Sequence, residues 1–300
     1  MKHILKITIA LVLFFFLAQF TGLLVVNQYI DHKKTIETKT IVLKPLPYGL
    51  ERPEVKNQSA SFIYIMLAVL IGTLLLLFIV KTNITLIWKL LFFLSVSITL
   101  SVALAAFLNV YVAGILAVVV SLLRLYKPNA IIHNISEIFI YGGIAAILVN
   151  IFNLFAAFML LAVISIYDYI AVFKTRHMIK LAEFQSKSKV FAGLFIPYEK
   201  GKISMKQTAQ KLQTKKPKLK VAVLGGGDIG FTLIFAGVVM KGLMLKEAVL
   251  IGFLKTMIIP VFVSIALLFL LLKGQENKFY PAMPVLSLGC VLGYLVVLVV

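Results

Sequence analysis

The sequence has few of the residues that stabilise small secreted domains or bind catalytic zinc. It contains one cysteine, Cys290, so no disulfide can form within the chain. The four histidines are scattered, and none belongs to the His-Glu-x-x-His pattern of zinc hydrolases. No Gly-x-Ser-Gly stretch is present that would supply a serine nucleophile. We therefore expect no bound metal and no other cofactor.

Acidic residues are also few, with 11 Asp and Glu against 30 Lys and Arg, and the formal net charge is +19. Such a charge can indicate nucleic-acid binding. Here, however, the basic residues lie in the loops between long apolar runs, where they set membrane topology. We expect no nucleic-acid partner. The segment 174–220 alone carries thirteen Lys and Arg, and we interpret it as a solvated loop, with contact to anionic lipid as the alternative.

Apolar residues dominate the chain, since 61% of it is hydrophobic and the mean hydropathy is +1.05. Soluble domains have roughly 45–50% apolar residues. At about 20 residues per span, the pattern predicts an all-α membrane protein, a polytopic bundle of about nine transmembrane helices. The first apolar run is too long for a signal peptide. The predicted spans are 7–30, 60–80, 84–105, 107–126, 131–149, 153–173, 221–241, 246–272 and 281–300.

The loops between these spans predict the topology. Tight turns are expected near Asn109 and at 150–153. With a cytoplasmic N-terminus, 21 Lys and Arg lie inside and 8 outside, so the positive-inside rule favours an outside C-terminus. We divide the chain into an N-terminal part (1–173, about six spans), a basic cytoplasmic loop (174–220) and a C-terminal part (221–300, about three spans).

Two aspartates, Asp168 and Asp228, lie within predicted spans. An ionisable side chain at mid-bilayer costs about 2.5–3.5 kcal/mol even on the most lenient scale, so it marks a functional site by default. Asp168 lies five residues before the end of the sixth span, and Asp228 seven residues into the seventh. At 1.5 Å per residue these positions are roughly 8 and 10 Å deep on the cytoplasmic side. Close carboxylates share a proton, as in aspartyl proteases.

The neighbours of the two aspartates also suggest a site. Tyr167 supplies a hydroxyl that can order it, and Gly225, Gly226 and Gly227 weaken a helix while allowing a second backbone to approach. The segment 219–224 can equally begin a membrane helix or form a strand edge for an extended peptide.

Two short segments have more than one interpretation. The stretch 190–196 is apolar but too short to span, and we expect it to lie in the interface or plug a cleft. His133, Asn134 and Glu137 open the fifth span and are interpreted as polar residues at a helix end, with substrate or cavity contact as the minor alternative.

Three motifs carry a resemblance to a known family. Tyr167-Asp168, a Gly-x-Gly-Asp match at 225–228, and Pro281-Ala282-Met283 occur in that order. The chain resembles the presenilin and signal-peptide-peptidase family of intramembrane aspartyl proteases over its whole length and is most similar to archaeal presenilin homologues. At the third position of the last motif the family usually has leucine, whereas this chain has Met283. The two side chains have nearly equal volumes, so we expect the difference to affect substrate preference rather than activity.

The resemblance implies roles for these residues. Asp168 and Asp228 would be the catalytic pair, Gly225 and Gly227 conformationally required, and residues 281–283 the segment that shapes the site. The substrates would be transmembrane proteins, cleaved within the bilayer. No obligatory protein partner is evident, and a homo-oligomer is compatible with the sequence. The implied location is an archaeal cell membrane.

Two other functions fit parts of the pattern. A transporter or channel would use the same aspartates to carry protons or bind a cation. Lys255 in the eighth span is compatible with this, but we interpret it as a residue that snorkels or pairs with a carboxylate. A prepilin peptidase shares the Gly-x-Gly-Asp match but not the Pro-Ala-Met segment.

Overall fold

Helices account for most of the computed structural model, which describes residues 5–82, 84–127, 129–175, 191–198, 220–275 and 280–300. A single two-stranded antiparallel sheet is present in this described part. The helices are α1 (Leu5–Gln28), α2 (His32–Thr38), α3 (Ser61–Thr82), α4 (Thr85–Ala105), α5 (Val110–Tyr126), α6 (Ala130–Leu148), α7 (Leu154–Tyr169), α8 (Gly226–Leu243), α9 (Val249–Thr256), α10 (Ile258–Lys273) and α11 (Met283–Val299); the strands are β1 (Gly193–Tyr198) and β2 (Lys220–Gly225).

Within the described residues, seven helical stretches are long and apolar enough to cross a membrane. One of them is formed by α9 and α10 together, which are interrupted at Met257. Helices α5 and α11 are apolar but have only 17 residues each. A polytopic helical membrane protein is therefore confirmed, and the count of nine spans stays a prediction.

Asparagine residues begin three of the helices after short connections. The side chains of Asn109, Asn129 and Asn153 accept hydrogen bonds from backbone N–H groups in the first turns of α5, α6 and α7. Asparagine is among the best N-cap residues because its side chain satisfies a donor that the helix leaves unpaired. The caps explain how one helix can begin within a few residues of the end of the preceding one, and the predicted turns near 109 and 150–153 are confirmed.

Helix α1 lies at the centre of the packing, against α6, α8 and α10. Helix α6 also packs against α4, and Gly143 makes this approach possible. A Cβ atom at Gly143 would overlap the backbone carbonyl of Thr99 in α4. Small residues at such crossings let membrane helices pack by van der Waals contact. Helix α3 differs, since only 6% of its apolar window is buried.

The prediction for residues 221–225 was wrong. The seventh span was expected to begin at Val221, but this stretch belongs to β2, and the helix begins at Gly226. β-Branched residues favour an extended backbone, and glycines disfavour a helix. A partner strand decides between the two, because β1 pairs with β2 from Gly193 opposite Gly225 to Tyr198 opposite Lys220. The predicted strand is confirmed, and its use as an edge for an extended peptide stays a prediction.

The segment 190–196 was expected to lie in the interface or plug a cleft, yet its residues 193–196 belong to β1. The other residues of the predicted basic loop, 176–190 and 199–219, lie outside the described residues, so the division of the chain at 173 and 220 stays a prediction.

The packing at Gly143 predicts a specific sensitivity. Gly143→Ala should lower the free energy of unfolding by about 1–3 kcal/mol, because the new methyl group must displace the α4 backbone. Gly72→Ala in α3 is the matched control, since a Cβ there has nothing within 4 Å. Thermal unfolding in detergent measures both variants, and equal melting temperatures would show that the α4–α6 contact is not close.

Candidate active site

Asp168 is the second-last residue of α7, and only 8% of its surface is exposed. A π-turn (Ile170–Lys174) follows the helix directly, and π-turns occur frequently at functional sites. The backbone N–H of Met283 donates a hydrogen bond to Asp168 Oδ2 at 3.1 Å. The carboxyl group is thus buried but bound, as a polar group in an apolar interior must be.

Asp228 is the third residue of α8. The depth predicted for it used the rise of a helix from Val221, but the extended strand β2 leads to Asp228 instead, so the depth itself stays a prediction. Its position in the first helical turn places the carboxylate near N–H groups that have no acceptor within the helix itself and near the positive end of the helix dipole. A Cβ at Gly225 would lie 3.3 Å from Asp228 Oδ2, so the side chain turns back towards the strand.

The third motif meets the first at the start of α11. Pro281 and Ala282 precede this helix, and Met283, its first residue, is almost fully buried and donates to Asp168. One turn further into α11, Ser287 Oγ lies 2.9 Å from Ser165 Oγ of α7. Helices α7, α8 and α11 pack against one another in all three pairings. The fold therefore brings together the helices that carry all three motifs.

The three glycines before Asp228 differ in their surroundings. A Cβ at Gly226 would lie 2.8 Å from the hydroxyl oxygen of Tyr141 in α6, so a larger residue there requires the Tyr141 ring to shift. A Cβ at Gly227 would meet only the Phe231 ring at 3.4 Å, an ordinary contact. Neither has a positive φ. The close approach explains Gly226, and the requirement for Gly225 and Gly227 stays a prediction.

Tyr167 connects the site to a peripheral helix. Its hydroxyl oxygen lies 2.9 Å from Thr73 Oγ1 of α3. Because α3 is mostly exposed to its surroundings, this bond joins the residue before Asp168 to the most loosely packed of the predicted spans.

Gln19 is a residue that the sequence reasoning missed. It is fully buried in α1, and its Nε2 donates to the Ile229 carbonyl at 2.9 Å and to Thr232 Oγ1 at 2.7 Å. Thr232 Oγ1 in turn donates to the Asp228 carbonyl at 2.8 Å. Gln19 therefore holds the first turn of α8 against α1. An amide in the middle of an otherwise apolar run was the available indication.

The polar residues of the fifth span were predicted to be helix-end residues, with substrate or cavity contact as the minor alternative. They begin α6, as expected of a helix end, but His133, Asn134 and Glu137 are all buried. Their contacts are with Arg124 and with β1. Lys255, which the transporter alternative would use, forms an ion pair with Glu247 at 2.6 Å, as the pairing interpretation expected.

The site offers acid–base chemistry through two carboxyl groups on adjacent helices. Among the described residues, no three His, Cys, Asp or Glu side chains are grouped as a metal site requires. A buried carboxyl group beside backbone donors and a second one at a helix N-terminus occupy different environments, and such a pair can divide the roles of acid and base.

Comparison with known proteins gives matches of two kinds. The model of the family described as "Signal-peptide peptidase, presenilin aspartyl protease" matches residues 47–300. No curated protein sequence matches significantly.

Solved structures also match. The structure of a presenilin family intramembrane aspartate protease in space group C222 superposes with a TM-score of 0.60 at 20% identity and covers 97% of this chain and 98% of its own. A structure with the same description in space group P2 gives a TM-score of 0.60 at 19% identity, covering 97% and 96%. At this identity the structures establish the fold.

The surroundings of the glycines predict an order of effects. Gly226→Ala should lower proteolytic activity at least about tenfold, because the methyl group collides with Tyr141 and displaces the residue two positions before Asp228. Gly227→Ala should have a smaller effect, since space is available for its Cβ. Initial cleavage rates in detergent, normalised to folded protein, compare the two, and a more severe loss in Gly227→Ala would contradict this steric account.

Proposed function

The chain belongs to the family of signal-peptide peptidase and presenilin aspartyl proteases, and from this premise we propose that Asp168 and Asp228 are its catalytic pair. It is an intramembrane aspartyl protease, an integral multi-pass membrane protein whose substrates are membrane proteins in the bilayer. The observation that carries the proposal is the bond from Met283 to Asp168, which joins two of the three motifs, with the third on the adjoining helix α8.

The proposed reaction is hydrolysis of a peptide bond in a transmembrane segment. One aspartate, ionised, takes a proton from a water molecule, which attacks the scissile carbonyl carbon. The other, protonated, donates its proton to the carbonyl oxygen, and the roles exchange as the amine leaves. No covalent intermediate forms. The two carboxyl groups titrate as a pair, so their protonation states belong to the pair.

A substrate helix must unwind before this reaction, because its backbone groups are bonded internally. We propose that β2 and residues 225–227 receive the unwound segment. Strand addition at a sheet edge supplies main-chain hydrogen bonds irrespective of side chain. β2 ends directly before α8, so a peptide paired with it would run towards Asp228. Tyr167 and residues 281–283 would shape the adjoining surface.

The finer placement in the cell is part of the proposal. The excess of Lys and Arg in alternate loops supports a cytoplasmic N-terminus and 174–220 segment with an outside C-terminus. The motif pattern supports an archaeal cell membrane, and we propose that the chain acts without an obligatory protein partner.

The catalytic proposal predicts that Asp168→Ala and Asp228→Ala each abolish intramembrane cleavage. Loss of a general acid or base costs about 100-fold or more in rate. Each purified variant is incubated in detergent with a single-span substrate, and mass spectrometry identifies the products. Asp31→Ala is the control, because this aspartate caps α2 outside the predicted spans. Intramembrane products at the wild-type rate from a folded site variant would remove the substituted aspartate from the mechanism, and with it the two-aspartate reaction.

The proposed orientation has a separate test. Alkaline phosphatase fused after Val300 should be active in a bacterial host, since the enzyme folds only outside the cytoplasm, whereas a green fluorescent protein fusion there should be dark after Sec export. The opposite pair of results would place the C-terminus inside.

A further inference from the structure

A buried ion pair lies beside the sheet, outside the proposed catalytic site. Arg124 Nη2 of α5 and Glu137 Oε1 of α6 are 2.5 Å apart, and their side chains are 2% and 3% exposed. Two charges removed from water are strongly destabilising unless each is paired and further hydrogen-bonded. Here Arg124 also donates to Ser136 Oγ at 3.1 Å and lies 3.1 Å from His133 Nδ1.

The neighbours of His133 determine its tautomer. Arginine only donates and a carbonyl only accepts. Nδ1 therefore accepts from Arg124, and Nε2–H donates to the Gly193 carbonyl at 2.7 Å. The imidazole is neutral and relays the hydrogen bonds of Arg124 to β1. Its ring also packs on the ring of Phe195, with 4.6 Å between centroids.

Asn134 binds β1 at two points. Its Nδ2 donates to the Phe195 carbonyl at 2.8 Å, and its Oδ1 accepts from the Phe195 N–H at 3.0 Å. One side-chain amide thus replaces the backbone of a neighbouring strand. In addition, Arg124 donates to the Phe191 carbonyl at 3.4 Å.

These contacts all lie on one edge of β1. In an antiparallel pair, successive residues direct their N–H and C=O groups alternately towards and away from the partner strand. Residues 191, 193 and 195 bind α5 and α6, so their groups point away from β2. Pro197 is next in this series and has no N–H, as suits a position that does not donate to the ladder. Side chains of α5 and α6 thus occupy the outer edge of β1.

The same alternation shows which backbone groups of β2 point away from β1. Because Phe195 lies opposite Val223, the pair exchanges no hydrogen bonds, and the N–H and C=O of Val223 also point away from β1. Val223 is 43% exposed and lies five residues before Asp228. The outer edge of β2 is therefore the edge that a further strand can join.

We propose that Arg124, His133, Asn134 and Glu137 form a strand dock that positions β1 and, through the β1–β2 ladder, the junction between β2 and Asp228. The dock closes one edge of the sheet and leaves the edge of β2 for the substrate. This inference rests on the proposed function, because the dock would set the register in which a substrate peptide lies beside the two aspartates. These four are positioning residues; the chemistry belongs to the aspartates.

A second contact supports this role. Tyr141, two turns further along α6, packs against Gly226 at the start of α8. Gly193, the residue that His133 binds, adopts φ +140, and a Cβ there would approach Gly226 N to 3.1 Å. Helix α6 thus contacts both β1 and the residue that follows β2, and a movement of the dock would reach the first turn of α8.

The test compares Asn134→Leu with wild type and with Ser121→Ala. Ser121 is buried in α5, but its hydroxyl donates only to the Ala117 carbonyl of its own helix. We expect Asn134→Leu to accelerate hydrogen exchange over residues 191–198, to lower kcat about tenfold with KM within threefold, and to spread cleavage over additional neighbouring bonds. Ser121→Ala should match wild type in all three measurements.

His133 supplies a conservative rescue. His133→Gln keeps an amide donor near the position of Nε2 and should retain kcat within about threefold, whereas His133→Leu should behave as Asn134→Leu does. This pair carries the test if Asn134→Leu does not fold, which size-exclusion chromatography reports. A tenfold loss in His133→Gln equal to that of His133→Leu would overturn the role assigned to the donor.

The readouts separate this inference from the proposed function. Unchanged exchange over 191–198 in Asn134→Leu would overturn the dock, and so would faster exchange with wild-type kcat and products. Cleavage by folded Asp228→Ala would overturn the proposed function instead, and the exchange measurement, which needs no catalysis, would still decide whether the dock holds β1.

Discussion

Backbone hydrogen bonding is the constraint on which the rest of this structure depends. In a bilayer every N–H and C=O must find a partner within the protein, which is why spanning segments are helices or closed barrels. An enzyme that cuts peptide bonds there must nevertheless present irregular backbone beside its carboxyl groups. In this chain β1 and β2 pair with each other, and side chains of α5 and α6 serve the outer edge of β1. The two-stranded sheet is thereby stable although helices surround it.

The same constraint explains why several polar side chains are buried between the helices. Gln19 bonds the first turn of α8, and Ser165 meets Ser287 between α7 and α11. Interhelical bonds of this kind average only about 0.6 kcal/mol in membrane proteins. These hydrogen bonds matter because they are directional. Each fixes the rotation or height of a helix that carries a proposed catalytic motif. Close-packed glycines supply the attraction, and the polar bonds select one alignment.

The sequence indicated those features that can be recognised from a residue and its immediate neighbours in the chain. Asp168 and Asp228 stood out because a carboxyl group in an apolar run is expensive, and the turns near Asn109 and at 150–153 because a tight turn between apolar runs needs polar residues. The β1–β2 pairing escaped it, since the partners are separated by some twenty residues and the Val-rich stretch before Gly225 suits a helix equally well. The roles of Gln19 and Asn134 escaped it for a related reason. A lone amide shows no periodicity, and its partner is known only when the helices are packed.

The bond from Met283 to Asp168 has a consequence for how the family's third motif can vary. A main-chain donor is present whatever side chain the residue carries, so leucine or methionine at this position preserves the bond equally. Proline alone would remove it, and prolines already flank the segment at 281 and 284. The side chain at residue 283 can therefore change while the hydrogen bond that anchors Asp168 stays in place.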